Sequence, residues 1–222
     1  MDQMFPQVVF YIGSIPIYDT IVSTWVMIAV IALIAWVLGK RGPMMLEMIV
    51  EFLAELVSSM MGRPATPYLP LLGALFIFIA VANIIGLVPV VTTPTKDLNT
   101  PVALALVVFL SVYYFGIHEL GLRGYIKQIA SPIFILPLEL ISHVSRTLSL
   151  SIRLFGNIFS GEMIVAVVFS LVPLIAPLPL QIFTMAMGLL QAYVFTALAS
   201  VYIGAAVEAS MPVTTAEEME QI

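Results

Sequence analysis

Long apolar runs, separated by short charged or proline-bearing stretches, organise the whole chain. The first uncharged run extends from Thr20 to Gly39. That is about 20 residues, the length an α-helix needs to cross one bilayer core. Lys40 and Arg41 close it. A second run goes from Leu69 to Val91, a third from Pro101 to Ile117, and two longer ones occupy roughly 132–172 and 178–208. Pro173, Pro177 and Pro179 interrupt the chain between the last two, because proline removes an amide donor and clashes with the preceding turn. The pattern predicts an all-α integral membrane protein with five membrane-embedded helices in a single domain over 1–222. Within it lie a first span at 20–39, a second hairpin at 69–118 and a helix pair at 132–208.

Between the first two spans the periodicity changes. Glu47, Glu51 and Glu55 recur every four residues, while Met45, Met48, Ile49, Phe52, Leu53 and Leu56 fill the opposite side. At the helical period the glutamates form one acidic stripe, so 43–61 is predicted to be an amphipathic helix on the cytoplasmic surface. Its stripe is either a solvated face or a docking face for another subunit. Lys40, Arg41 and Arg63 follow the first span, and Arg123 and Lys127 follow the third. The loop at 91–100 has only Lys96. Positive-inside counting then sets the amino terminus outside and the carboxyl terminus in the cytoplasm.

The last two runs hold most of the buried polar residues. On a helical wheel Glu139, His143, Arg146, Ser149, Arg153, Asn157 and Ser160 fall within an arc of about 120°. Such a file is expected to face protein interior or a water-filled cavity, because a charge at the bilayer centre costs about 2.5–3.5 kcal/mol on insertion scales. Arginine keeps its proton throughout the physiological range, so Arg153 is a permanent cation. Glu162 lies about 180° away and ~13 Å further along the axis, out of reach of Arg153. Its expected neighbour is the final helix, where Gln181, Thr184, Gly188, Gln191 and Tyr202 share a face and Gly188 permits close approach. Two water routes that stop short of each other, separated by a fixed cation, admit ions from both sides without a continuous leak. The carboxylate that moves between them is expected on a partner. Asn157 and Gln191 also fit interhelical hydrogen bonds, and His143 fits either a packed neutral role or a proton relay. Asn83, Asp97 and Asn99 fit loop and helix-end chemistry.

Composition narrows the field. The chain is 61% hydrophobic and 9% charged, against about 25% charged in soluble domains. No cysteine is present, which excludes disulfides and thiolate chemistry, and two histidines far apart suggest no metal site. The eight basic residues form no patch for nucleic acid. The start of the chain lacks the basic region of a cleavable signal. No GxxxxGK[ST] phosphate loop occurs, and no cofactor is expected. A secondary transporter that binds an anion at Arg153 is the alternative, weakened by the absence of an internal repeat. A purely structural anchor would leave the polar file replaceable.

These residues carry a resemblance. SLSIRLFGNIFSGEMI, preceded by PLELISHVSR and followed by LLQAYVFTALASVYI, resembles the signature of subunit a of the F-type ATP synthase. IVEFLAELV and NIIGLVPVVTTPTKDLNTPVALAL extend the likeness to roughly 20–208. The resemblance implies a stator subunit that couples H⁺ or Na⁺ flow to ATP synthesis or hydrolysis elsewhere in the complex. It makes Arg153 the essential cation facing carboxylates of a rotating c-subunit ring. Glu162, Asn157 and Gln191 become residues of an outer half-channel, with Glu139 and Ser149 on the inner side. It further implies a bacterial plasma-membrane location, a b-subunit peripheral stalk as partner, and long tilted final helices. Relatives often carry a titrating partner for the outer acid where this chain has Thr184.

Overall fold

The computed structural model describes residues 8–12, 15–41, 43–86, 97–129, 136–172 and 177–208. Six helices dominate: α1 (Asp19–Arg41), α2 (Pro43–Met61), α3 (Leu69–Ile85), α4 (Asn99–Ile129), α5 (Leu136–Leu171) and α6 (Pro177–Glu208). An antiparallel pair, β1 (Val8–Ile12) and β2 (Ile15–Tyr18), precedes them, with Ile12 paired to Ile15 and Val8 to Tyr18. The membrane-embedded part is helical as expected, and this short hairpin stands before it. Its register uses Pro16 beside Tyr11, and only edge pairing of this kind tolerates a proline that cannot donate.

Four helices are long and apolar enough to cross a membrane, within Asp19–Lys40, Asn99–Glu119, Ile141–Leu171 and Pro177–Val207. The apolar α3 has 17 residues, or ~25 Å at 1.5 Å per residue. In lipid the helices gain little from hydrophobic contrast with the surrounding tails, so close van der Waals approach and interhelical hydrogen bonds hold them together. α6 is the hub and touches α2, α3, α4 and α5. Its Ala192, Phe195, Thr196, Ala199, Ser200 and Ile203 are fully buried. α1 lies at the periphery with Trp25, Ile28, Leu33 and Trp36 exposed, as a helix apolar on all sides does when lipid is its solvent. The Lys40 ammonium sits 4.1 Å above the Trp36 ring at its end.

Two boundaries and one packing face differ from the periodicity. Pro177 and Pro179 open α6 rather than break the chain before it, since the first turn has no intrahelical amide bond to lose. In α2 only Leu53, Leu56, Val57 and Met61 are buried, while Met45, Met48, Ile49 and Phe52 stay exposed along with Glu47, Glu51 and Glu55. The apolar face of α2 therefore meets the bundle through its second half alone. α4 runs on past Ile117 to a break at Gly121, where φ is 68° and ψ 156°, a conformation that favours glycine. Twelve residues of straight helix would separate Tyr113 from Tyr125 by ~18 Å. Their rings are 6.2 Å apart, so the chain folds back at Gly121 and buries Tyr125 against α4's own span. The side chains of Arg123 and Lys127, and residue Lys96, lie outside the described residues.

Candidate functional site

α5 presents a buried line of Leu150, Leu154 and Ile158 to its neighbours. The polar file runs along one flank of that line. Arg146, Ser149, Arg153 and Ser160 are exposed, and His143 and Asn157 are half-buried. Of the two expected surroundings, the file does not face this chain's packed interior; its charged members lie on the outer surface of the helix bundle. The reason is energetic. α5's packing face is filled by aliphatic side chains, and a guanidinium there would need a buried counter-charge. Among the described residues no hydrogen bond or ion pair engages Arg153. Glu139 lies in the first turn of α5 and Glu208 ends α6, and the side chains of both lie outside the described residues.

Contacts with α6 set the register of the antiparallel pair. The Arg146 guanidinium carbon lies 5.2 Å from the Tyr202 ring centroid. Asn157 Nδ2 donates to the Met187 carbonyl at 3.3 Å. A Cβ on Gly161 would lie 2.5 Å from Thr184 Cγ2. Interpolating between these three contacts, Arg153 stands level with the turn of α6 that begins at Gln191, and Glu162 stands level with Thr184. Glu162 is half-buried, on the opposite flank of the packing line from Arg153. The close α5–α6 approach thus occurs at Gly161, one residue before the acid. Gly188 makes its close approach to α3 instead, against Asn83.

The polar groups of α6 behave differently. Thr184 Oγ1 donates to Leu180 O of its own helix at 2.9 Å, so its hydroxyl hydrogen is spent locally. Gln191 is 7% exposed, and its Nε2 has no hydrogen-bond partner; the same holds for Oγ1 of the fully buried Thr196. An unpaired buried amide donor costs about 1–3 kcal/mol, so Gln191 marks a place where water or a passing group is to be expected. Lower on the pair, His143, Arg146, Thr147 and Tyr202 line a recess with Val108 and Val112 of α4. The His143 ring is 5.6 Å from that of Tyr113.

At the opposite end, Asp97 accepts from the Asn99 backbone N–H at 3.2 Å and from Thr20 Oγ1 at 3.4 Å. That is helix-start chemistry, as expected of Asp97 and Asn99. Asn83, at the end of α3, donates to Ile79 O of its own helix at 2.7 Å and also across to α6, to Gly188 O at 3.1 Å. Sequence reasoning missed this cross-helix contact of Asn83 and the role of Gly161. The available signal was a small residue beside a membrane acid, SGE, and an amide in the last turn of a helix.

Comparison with known proteins bears on the whole chain. Residues 20–204 match the family described as ATP synthase A chain. The chain is 46% identical over 206 residues to ATP synthase subunit a 2 of Bradyrhizobium sp., covering 89% of this chain and 92% of that protein. It is 41% identical over 211 residues to ATP synthase subunit a of Moorella thermoacetica, covering 91% and 97%. A third relative, ATP synthase subunit a 2 of Acaryochloris marina, is 38% identical over 204 residues, 87% of each chain. With its match across 20–204 and its long apolar helices, this multi-pass membrane protein belongs to the ATP synthase A chain family.

Proposed function

We propose that the chain is the stator of a rotary ion motor and provides two offset half-channels to a ring of c subunits. One observation carries the reading. Arg153 is a permanent cation at mid-span of an apolar helix, exposed on the bundle surface and without a counter-charge among the described residues. Such a group is tolerable in hydrocarbon when a partner brings an acid to it.

The cycle follows from that charge. A proton entering from the outer side is taken up by Glu162 and passed by way of Thr184, Asn157 and Gln191 to a ring carboxylate that has just left Arg153. The neutral carboxyl then rotates through lipid. Arriving from the other side, it loses its proton to the inner route, near Ser149, His143 and Glu139. Arg153 promotes that loss, because an adjacent opposite charge lowers a carboxyl pKa by about 1–3 units. The same charge bars a bare cation from passing directly between the routes. Na⁺ fits the scheme equally, since its ligands would sit on the ring. α3 serves as the fifth membrane-embedded helix, and the amino terminus lies outside, with the carboxyl terminus in the cytoplasm of a bacterial cell. α5 and α6 tilt to fit their length into the bilayer, and the peripheral stalk of b subunits completes the stator.

The test is ATP-driven ion pumping by the complete complex in vesicles. Arg153→Ala should assemble with the ring but pump at background level. Normal coupled pumping by that variant overturns the reading.

A further inference from the structure

We propose that Asn83 of α3 is a positioning residue that fixes the rotation of α6 and thereby aims Gln191; this rests on the place given to Gln191 in the outer half-channel. Asn83 is half-buried in the last turn of α3. Its Nδ2 donates both to Ile79 O of its own helix at 2.7 Å and to Gly188 O of α6 at 3.1 Å. From the opposite side, Asn157 of α5 donates to Met187 O at 3.3 Å. Two asparagines on two different helices thus give second hydrogen bonds to consecutive carbonyls of α6. A carbonyl has two lone pairs and accepts both its helical amide and a side chain. In an α-helix the amides bonded to those carbonyls are four residues on, and they belong to Gln191 and Ala192. The turn that presents Gln191 is therefore held from both sides.

The grip on the α3 side depends on glycine. A Cβ at position 188 would stand 2.6 Å from Asn83 Cγ, 2.7 Å from its Cβ and 2.8 Å from its Oδ1. The first two are not the loose end of a flexible chain, so they cannot swing away. A glycine inside a helix costs about 1 kcal/mol against alanine, and here it lets a side-chain amide reach the backbone.

Rotation is what matters for Gln191. Its Nε2 is buried with no partner, so its direction decides whether it meets the ion path. Side-chain tips lie ~5–6 Å from a helix axis; a 20° roll of α6 would move one by about 2 Å. Misplacement by ~1 Å can cost about a hundredfold in rate.

The experiment uses the complete complex in vesicles, reading ATP-driven ion translocation in five variants, two of them double. Gly188→Ala should lower translocation about tenfold or more. Asn83→Gly removes the opposing Cβ but also the amide, so the double variant should recover to the level of Asn83→Ala alone and no further. Asn83→Ala keeps the Cβ and deletes the amide; it should cost about three- to tenfold alone and nothing further in a Gln191→Ala background, because a residue acting through another is not additive with it. A pair of cysteines at Met61→Cys and Gly204→Cys controls for the fold. A Cβ on Gly204 lies 3.6 Å from Met61 Cβ, within disulfide range, and the bridge should form equally in every variant. The proposal is overturned if Gly188→Ala translocates at the wild-type rate, if Asn83→Gly gives no rescue, or if Asn83→Ala costs the same factor with and without Gln191. If Gln191→Ala is itself silent, the outer-channel reading of Gln191 fails, and with it the aim assigned to Asn83.

Discussion

α5 and α6 are near-equal partners, 36 and 32 residues long, yet they treat their polar residues in opposite ways. α5 carries Arg146, Arg153 and Ser160 on an exposed flank. α6 has no charged residue before Glu208 and keeps Gln191, Thr196 and Ser200 buried. The difference follows from energy. A neutral hydroxyl is satisfied by a carbonyl of its own helix, as Ser200 is by Thr196 O at 2.8 Å. A guanidinium offers five donors and a full charge, and no aliphatic packing face can absorb it. α6 is therefore the helix that neighbours position, and α5 the helix that carries charge on the bundle surface.

The comparison breaks most visibly at Arg153. Arg153→Ala should reduce coupled pumping by at least about a hundredfold, and Arg153→Lys should fail nearly as badly, because a compact ammonium does not reproduce the planar fork. Ion-pumping assays on reconstituted complex distinguish the two. Substantial activity in the lysine variant would mean that charge alone, not its shape, is required.

Next come the groups level with each other across the pair. Glu162→Gln should slow proton translocation by about ten- to a hundredfold, and Glu162→Asp mildly. Gln191→Ala should cost more than Thr184→Ala, since the Thr184 hydroxyl already donates within its helix whereas Gln191 Nε2 is unpartnered. The reverse order would move the ion path away from Gln191.

A smaller effect is expected where α5 and α6 touch. Gly161→Ala sets a Cβ 2.5 Å from Thr184 Cγ2, and overpacking of this kind costs about 1–3 kcal/mol. Thermal stability of the detergent-solubilised complex should fall. Thr184→Ala should recover it, because only the Thr184 Cβ, 3.4 Å away, would remain. Failure of rescue would show that the helices separate at this point.

The least intrusive test asks which ends of the pair face which side. Tyr125 is buried and so is a poor labelling site, but Glu119 and Asn99 are exposed at opposite ends of the α4 span. In this cysteine-free chain, Glu119→Cys should react with an impermeant thiol reagent from the cytoplasm and Asn99→Cys from outside, with pumping almost unchanged. The opposite pattern would exchange the inner and outer routes.

Much of this was legible in the chain itself. Run length located α1, α5 and α6 but not the extension of α4 past Ile117, and the 3.6-residue period gathered Arg146, Ser149, Arg153 and Asn157 on one flank with Glu162 away from them. The motif around Arg153 carried the family. Periodicity, however, gives only an angle about one helix axis. Which neighbour fills that angle is decided by packing, and in a membrane both the lipid and the interior are apolar, so hydropathy does not tell one face from the other. Only the tertiary structure could turn the polar file outward, send Gly188 to Asn83 and Gly161 to Thr184, and fold α4 back at Gly121. The β1–β2 hairpin escaped for a related reason: its strands are too short for alternation to stand out in a chain this apolar.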